Sequence, residues 1–351
     1  MSKISPSMPA AHGAVAIDMM GSDRGPEEIF EGVCLALRQF PDLAPLILVG
    51  DGDLLTALLE KHRLEDNSRL SIFHTSQVIE MDDKPVQSLK QKKDASMIRA
   101  IELIQAGAAS AVLSCGNTGS LMAGSTLKLR PIAGIERPAL ASIIPSSEGH
   151  FVLVDVGANP QSTPLHIAHN ALLASVYAQK VLKIPSPRIG LLSIGTEEGK
   201  GNELIQKAHE KLKQLSSFID YIGLIEGFHL FGSGVDVVLC DGFTGNILLK
   251  SLESMALYLR KFSRKEFSKN PLRLFGAFCA RGAFEALSAK LNAEIYGGAP
   301  LLGLNGTVFK AHGSSRARAI SHAIHMASDL SRMGLQDEEM ALLQQTKSLL
   351  K

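Results

Sequence analysis

An α/β fold, with a mainly parallel sheet and helices on both faces, is predicted by three features of this 351-residue sequence. Short runs rich in Val, Ile and Leu recur along the chain and read as strands buried on both faces. Most are followed by a turn containing glycine. Helical periodicity then takes over, and strand alternating with helix is the pattern of a parallel sheet covered by its own crossovers.

Taken in order, Val15 to Asp18 reads as the first strand, with a helix from Pro26 to Leu37 behind it. Leu46 to Gly50 is the second strand, and Ala111 to Ser114 follows a helix from Asp94 to Gln105. Phe151 to Val156 leads into a helix from Pro164 to Val181, and Ile189 to Ile194 into one from Glu203 to Leu215. Val235 to Cys240 is the last buried run. From Ile247 to Leu291 two long helical patterns meet near Asn270-Pro271. Leu301 to Leu304 and Thr307 to Lys310 flank Asn305-Gly306, a hairpin signal that suggests an antiparallel annex before a last helix from Ser315 to Leu330. No Pro/Gly/Ser-rich linker divides the chain. The expected organisation is an N-terminal tail over 1–13, one domain over 14–335 from which 245–292 projects as a helical pair, and a C-terminal tail or helix over 336–351.

Composition narrows the function. Lys plus Arg number 36 against 35 Asp plus Glu, so no overall field draws the chain to nucleic acid. Cys34, Cys115, Cys240 and Cys279 have neither zinc-ligand nor redox-motif spacing, which fits a reducing cytoplasm. The first thirteen residues lack the apolar core of a signal peptide, and no run approaches the roughly 20 apolar residues of a membrane span. No P-loop, no G-x-G-x-x-G after the first strand and no H-E-x-x-H is present, so neither a metal nor a cofactor is expected.

Five strand ends carry the chemistry: Asp18 to Asp23 with Gly21, Ser114 to Ser120 with Asn117-Thr118-Gly119, Asp155 to Asn159, Gly195 to Asn202, and Asp241 to Asn246. Ligands of open parallel sheets bind beyond the carboxyl ends of the strands, so these loops are expected to converge on one crevice. Glycine lets backbone N–H groups approach an anion, and phosphate is the natural candidate. Ordinary turn and cap chemistry selects the same residues, and that reading stands beside the functional one for each loop.

Nine stretches, in order, resemble the PlsX phosphate:acyl-carrier-protein acyltransferases of bacterial phospholipid synthesis. They are Ala16 to Asp23, Lys92 to Met97, Cys115 to Gly119, Arg137 to Ala141, Asp155 to Asn159, Lys200 to Leu204, Asp241 to Asn246, Tyr296 to Gly306 and Lys310 to Ser315. The resemblance runs from about Val15 to Ala327. It implies a Rossmann-like three-layer fold related to isocitrate and isopropylmalate dehydrogenases, and phosphorolysis of an acyl-carrier-protein thioester by inorganic phosphate. It also implies a homodimer. Ser22 departs from the pattern, standing where the family usually has a second Gly, and a requirement for positive φ there would strain it. Cys115, Lys90 and Pro160 are milder departures. Phosphate acetyltransferase-like or decarboxylating-dehydrogenase-like chemistry, and a non-catalytic module binding phosphate or acyl carrier, are the competing readings.

Phosphate is already a nucleophile and a thiol leaves readily, so fixed N–H donors and one or two cations suffice. Lys200, between two glycines, is either that cation or a solvated loop lysine. Asn117, Asn159, Asn202 and Asn246 are either amide donors or turn formers. Asp18, Asp155 and Asp241 are either partners of the cation and of the phosphate proton or structural caps. His312 is either the acid that protonates the leaving thiolate or a structural residue. In the 245–292 projection six Lys or Arg lie between Arg260 and Arg273 with Glu266 as the only acid. Leu272, Phe275, Cys279, Ala283 and Leu287 form one apolar face, with Leu274 and Phe278 opposite it. Leu274 and Phe278 are therefore expected to touch either an anionic membrane surface, near a membrane-bound acyltransferase that consumes acyl phosphate, or a second subunit. The expected location is cytoplasmic, peripheral at the inner face of the membrane.

Overall fold

A computed structural model of the chain describes residues 13–147, 149–232, 234–291 and 298–350. The expected tail over 1–13 lies outside them apart from Gly13, as do Tyr296, Gly297 and Asn292. The amino half alternates as β1 (Val15–Asp18), α1 (Pro26–Gln39), β2 (Leu46–Gly50), α2 (Gly52–His62), β3 (Leu70–His74), α3 (Pro85–Gln91), α4 (Ser96–Gln105), β4 (Ala111–Ser114) and α5 (Thr118–Leu129). Next come β5 (Ala139–Pro145), β6 (His150–Val154), α6 (Pro164–Tyr177), β7 (Arg188–Ser193), α7 (Glu203–Gln214), β8 (Asp220–Glu226) and β9 (Val237–Leu239). The chain closes with α8 (Gly242–Phe267), α9 (Pro271–Cys279), α10 (Arg281–Leu291), β10 (Ala299–Leu302), β11 (Thr307–Lys310), α11 (Ala317–Arg332) and α12 (Leu335–Thr346).

All strands among the described residues join one sheet of eleven in the order β3-β2-β1-β4-β11-β10-β5-β6-β9-β7-β8. β1 and β4 are buried at every residue, which is why they read as unbroken apolar runs. The hairpin is not an annex: β11 pairs with β4 in parallel and β10 with β5 antiparallel, so it bridges the two halves of the sheet. β5 then pairs antiparallel with β6, and β6, β9, β7 and β8 run parallel to one another. Strand direction therefore reverses between the halves. Carboxyl ends of β1, β4 and β11 lie at one edge of the sheet, and those of β6, β9 and β7 at the other.

Two apolar cores lie on the two faces. One packs α1, α2, α6, α7, α11 and α12 against the sheet, the other α3, α4, α5 and the first turns of α8. Helices start where the caps put them: Pro26 opens α1 with Glu27 and Glu28 in its first turn, and Thr163 with His166 forms a capping box on α6. The second face has fewer helices over the carboxyl half, and the gap between α5 and α8 is left open.

α8 is about 39 Å long at 1.5 Å per residue. Only Gly242 and Gly245 along it are buried, so most of its length projects from the body as an arm. The arm contains three helices rather than a pair, because the second pattern breaks at Ala280. Phe267 on α8 meets Phe284 on α10 edge to face, with ring centroids 5.0 Å apart. The apolar face expected over Leu272 and Phe275 is not buried: these residues are 80% and 65% exposed, against 59% for Leu274 and 72% for Phe278. The side chain of Leu287 lies outside the described residues.

Candidate active site

The open gap forms a trough of about 2850 Å³ between α5 and α8, floored by β5 and the start of β10. That is several times a small-molecule site, which spans about 300–1,000 Å³. Its wall carries ten Lys or Arg against four Asp or Glu, although the whole chain is nearly neutral. An anionic ligand is favoured there. Met122, Leu127, Leu140, Ile143 and Leu249 line its middle, and Leu257, Phe267, Leu274 and Phe284 continue the apolar wall up the arm.

One end lies at the edge where β4 and β11 finish. Asp18, buried at the end of β1, accepts from the hydroxyls of Ser96 and Ser114, each at 2.6 Å, and from Met20 N–H at 3.3 Å. Burial pushes its carboxyl up, while the Ser114 and Ser96 bonds pull it down. A Cβ on Gly21 would lie 2.6 Å from Asp18 Oδ2, so only glycine lets that loop close over the carboxylate. Lys310, at the end of β11, lines the trough and is 9% exposed. Its Nζ donates to the Cys115 carbonyl at 3.1 Å and to that of Ala311. Burial pushes the ammonium down, with Cys115, Asp23 and Asp18 working against it. His312, Ser314 and Ser315 line the trough beside it. Ser314 N–H donates to His312 Nδ1 at 3.2 Å, so the neutral ring carries its proton on Nε2.

The other end lies where β6 and β9 finish. Asp155 is fully buried and accepts from the N–H groups of Leu140, Gly157, Ala158 and Asn159 and from the Asn159 carboxamide, all at 2.7–3.2 Å. Burial pushes its carboxyl up and these donors oppose it. Asn159 spends its amide on Pro138 O and Asp155. Asn246, in the first turn of α8, lines the trough and donates to Val156 O at 3.3 Å. Gly157, at φ +134, leaves room for it, since a Cβ there would sit 2.5 Å from Asn246 Nδ2. Asp241 caps α8 through Phe243 and Thr244 N–H.

The five loops do not converge at one point. The Asp18 loop, through Asp23 and Arg24, and the Gly116 to Gly119 loop reach the trough from one end, and the Val156 to Asn159 loop and Asn246 from the other. Reversal of strand direction is the cause. The Gly195 to Asn202 loop contributes no residue to the lining, and Lys200 is exposed on it. Asn117 and Asn202 accept from Ser120 and Ile205 N–H as helix caps, and Asn117 also donates to Met81 and Asp83 carbonyls. Ser22 does not adopt positive φ, so the feared strain is absent; its hydroxyl donates to Gly313 O at 3.1 Å. Cys115 is buried, with its thiol pushed up to about 12 by burial, which makes it unreactive. Lys310 was not singled out from the sequence, because a lysine closing a strand normally reaches solvent.

Residues 14–337 match the model of the fatty acid synthesis protein family. The chain belongs to that family. Relatives named phosphate acyltransferase include one from Thermoanaerobacter pseudethanolicus, 42% identical over 90% of this chain and 92% of its own length. Another, from Nitrosococcus oceani, is 42% identical over 89% and 91%. A third, from Clostridioides difficile, is 39% identical over 91% and 92%. This member of the family is therefore an acyltransferase, with phosphate acyltransferase as its activity. Among solved structures, a phosphotransacetylase from Streptococcus pyogenes superposes with a TM-score of 0.62 at 16% identity, covering 91% of this chain and 93% of that one. A 4-hydroxythreonine-4-phosphate dehydrogenase from Klebsiella pneumoniae superposes at 0.52 and 14% identity, covering 91% and 100%. These likenesses show the fold alone, and it is the dehydrogenase-related fold the sequence resemblance implied.

Proposed function

We propose that this family member moves a fatty-acyl group from the thioester of an acyl carrier protein to inorganic phosphate. A phosphate oxygen attacks the thioester carbonyl, the carbon–sulfur bond breaks, and the products are acyl phosphate and the carrier thiol. The observation that carries this reading is a single trough in which a cationic, N–H-rich end joins a long apolar wall. An acetyl group needs no such wall. Asn246, whose carboxamide has the Val156 carbonyl as its partner, is proposed to donate to the thioester oxygen. Asp241 positions it by capping α8. Lys200 is proposed as the cation that neutralises the developing oxyanion, which requires the loop after β7 to move toward the trough, since it contributes no lining residue here. His312, whose Nδ1 accepts from Ser314 N–H, has Nε2 left to donate to the substrate or to protonate the leaving thiolate.

The acyl phosphate is proposed to feed phospholipid synthesis through a membrane-bound acyltransferase. A homodimer in the cytoplasm, peripheral at the membrane, fits that role. No helix among the described residues is long and apolar enough to cross a membrane. The basic arm, with Phe278 and Leu274 exposed, supports contact with an anionic surface, where each nearby Lys or Arg contributes on the order of 1 kcal/mol. The test of the reaction mixes the protein with acyl-carrier thioester and phosphate and traps acyl phosphate with hydroxylamine. Hydroxamate that rises with phosphate is expected. Thioester loss without hydroxamate would overturn the reading.

A further inference from the structure

Burying an ammonium is costly unless something compensates its charge. Lys310 is the only buried lysine or arginine among the described residues, and none of the ion pairs found among them includes it. Its partners are two neutral carbonyls, Cys115 O and Ala311 O. The nearest buried acid, Asp18, is already engaged by two hydroxyls and a backbone N–H. A third ammonium proton remains, and the trough is the space beside it.

Other donors face the same space. α5 begins there, and Asn117 caps it through Ser120 N–H alone, so the N–H groups of Thr118 and Gly119 have no partner among the described residues. His312 presents Nε2–H. Arg24 holds the loop in place, its Nε donating to Ser314 O at 2.9 Å. Asp23 is the acid nearby, and it is exposed to solvent that screens it. At the opposite end the corresponding N–H groups are consumed by Asp155, so the two ends are not equivalent.

We infer that Lys310, the free N–H groups of Thr118 and Gly119, and His312 form an oxyanion site that binds a phosphate group. The ligand class rests on the proposed acyl transfer, which brings two such groups: inorganic phosphate and the phosphodiester of the carrier's phosphopantetheine arm. Three inter-strand steps of about 4.8 Å separate β11 from β6, and the register sets Lys310 two to three residues of about 3.3 Å away along the strands from Asp155 and Val156, so this site and Asn246 lie on the order of 15–20 Å apart. That span suits an extended arm anchored at Lys310 with its thioester at Asn246. Inorganic phosphate at Lys310 would instead place the reaction at this end.

Thermal unfolding of the full chain, in rising inorganic phosphate or rising 4′-phosphopantetheine with pantetheine as the phosphate-free control, tests the site without using turnover. At least one of the two phosphate ligands is expected to stabilise wild type, and Lys310→Met is expected to need at least tenfold more of it. The ligand that loses its effect identifies the source. A lysine that only braces the two carbonyls would lower the unliganded melting temperature and leave the ligand-induced shift intact, which would overturn the inference. So would wild type indifferent to both ligands. If Lys310→Met does not fold, Thr118→Pro replaces it, since proline is accepted at the first helical position and removes one of the free N–H groups. That variant is expected to weaken binding at least threefold, and unchanged binding would count against the site. Because the readout is binding, failure here leaves the hydroxamate assay free to decide the reaction by itself.

Discussion

The two strand-end aspartates, Asp18 and Asp155, look alike in sequence and are built into opposite devices. Asp18 ends β1 and Asp155 follows β6, each is followed by a glycine within three residues, and each carboxyl is pushed up by burial. Asp18 is held by two hydroxyls beside a buried cation, and the neighbouring loop after β4 leaves the N–H groups of Thr118 and Gly119 free. Asp155 collects four backbone N–H groups and an amide, so its loop is closed on itself. The lesson is that an anion site is recognised by the donors left over, not by the presence of glycine and asparagine.

The largest effect is expected where the closed device is broken. Asp155→Ala strands five donors in the interior, and the loss should exceed about 3 kcal/mol, at the upper end of single-residue effects. Chemical denaturation measures it. A variant with wild-type stability and no turnover would show that Asp155 is chemical rather than structural, and the contrast would fail.

Next come the residues proposed to act on the thioester. Lys200→Ala and Asn246→Ala should each lower phosphorolysis at least tenfold, about 1.4 kcal/mol of transition-state stabilisation, with little change in melting temperature. Steady-state turnover paired with a thermal melt separates the two effects. A large fall in melting temperature for Asn246→Ala would move it to the structural side of the comparison.

The arm offers a sharper version of the same question, because Leu272, Phe275 and Phe278 are exposed and line no part of the trough. Phe275→Glu with Phe278→Glu, both exposed and outside the trough that Leu274 helps line, should abolish sedimentation with anionic liposomes while soluble acyl transfer is retained. Unchanged sedimentation removes this patch from membrane contact, and loss of dimerisation supports a subunit interface instead.

The last effect is confined to one pH range and concerns a third buried acid among the described residues, Glu339 on α12, which has neither device. Its carboxyl receives a backbone hydrogen bond from Gly303, its Oε1 has no partner, and burial pushes it from 4.5 to about 8. The folded state keeps this proton between those values while the unfolded chain loses it, so stability falls as pH rises from about 4.5 to 8. Glu339→Gln should therefore gain about 2 °C or more in melting temperature at pH 8 and little at pH 4.5. Equal gains at both values would mean that the carboxyl is not titrating.

Much of the fold was legible in residue order. β1, β2 and β4 are buried on both faces, so their Val, Ile and Leu runs stand out, and Asn305-Gly306 marks the hairpin it makes. β3 and β8 do not stand out in the sequence, because they are the edge strands and carry Ser, His, Asp and Glu among their apolar residues. β5 is hidden in the sequence for a different reason: Ala139 and Ala141 are small and break up the branched apolar run. The family motifs located Asn246, Asp18 and Asp155, since short motifs survive as local turn chemistry. What the sequence determined by itself was the α/β class, the family and the loops worth inspecting, all properties of neighbours along the chain. Tertiary structure alone decided that the hairpin lies inside the sheet, that strand direction therefore reverses, and that Lys310 is buried beside unspent N–H groups. Those depend on pairing between β4 and β11, nearly two hundred residues apart in sequence, and no local pattern encodes which strand a hairpin joins.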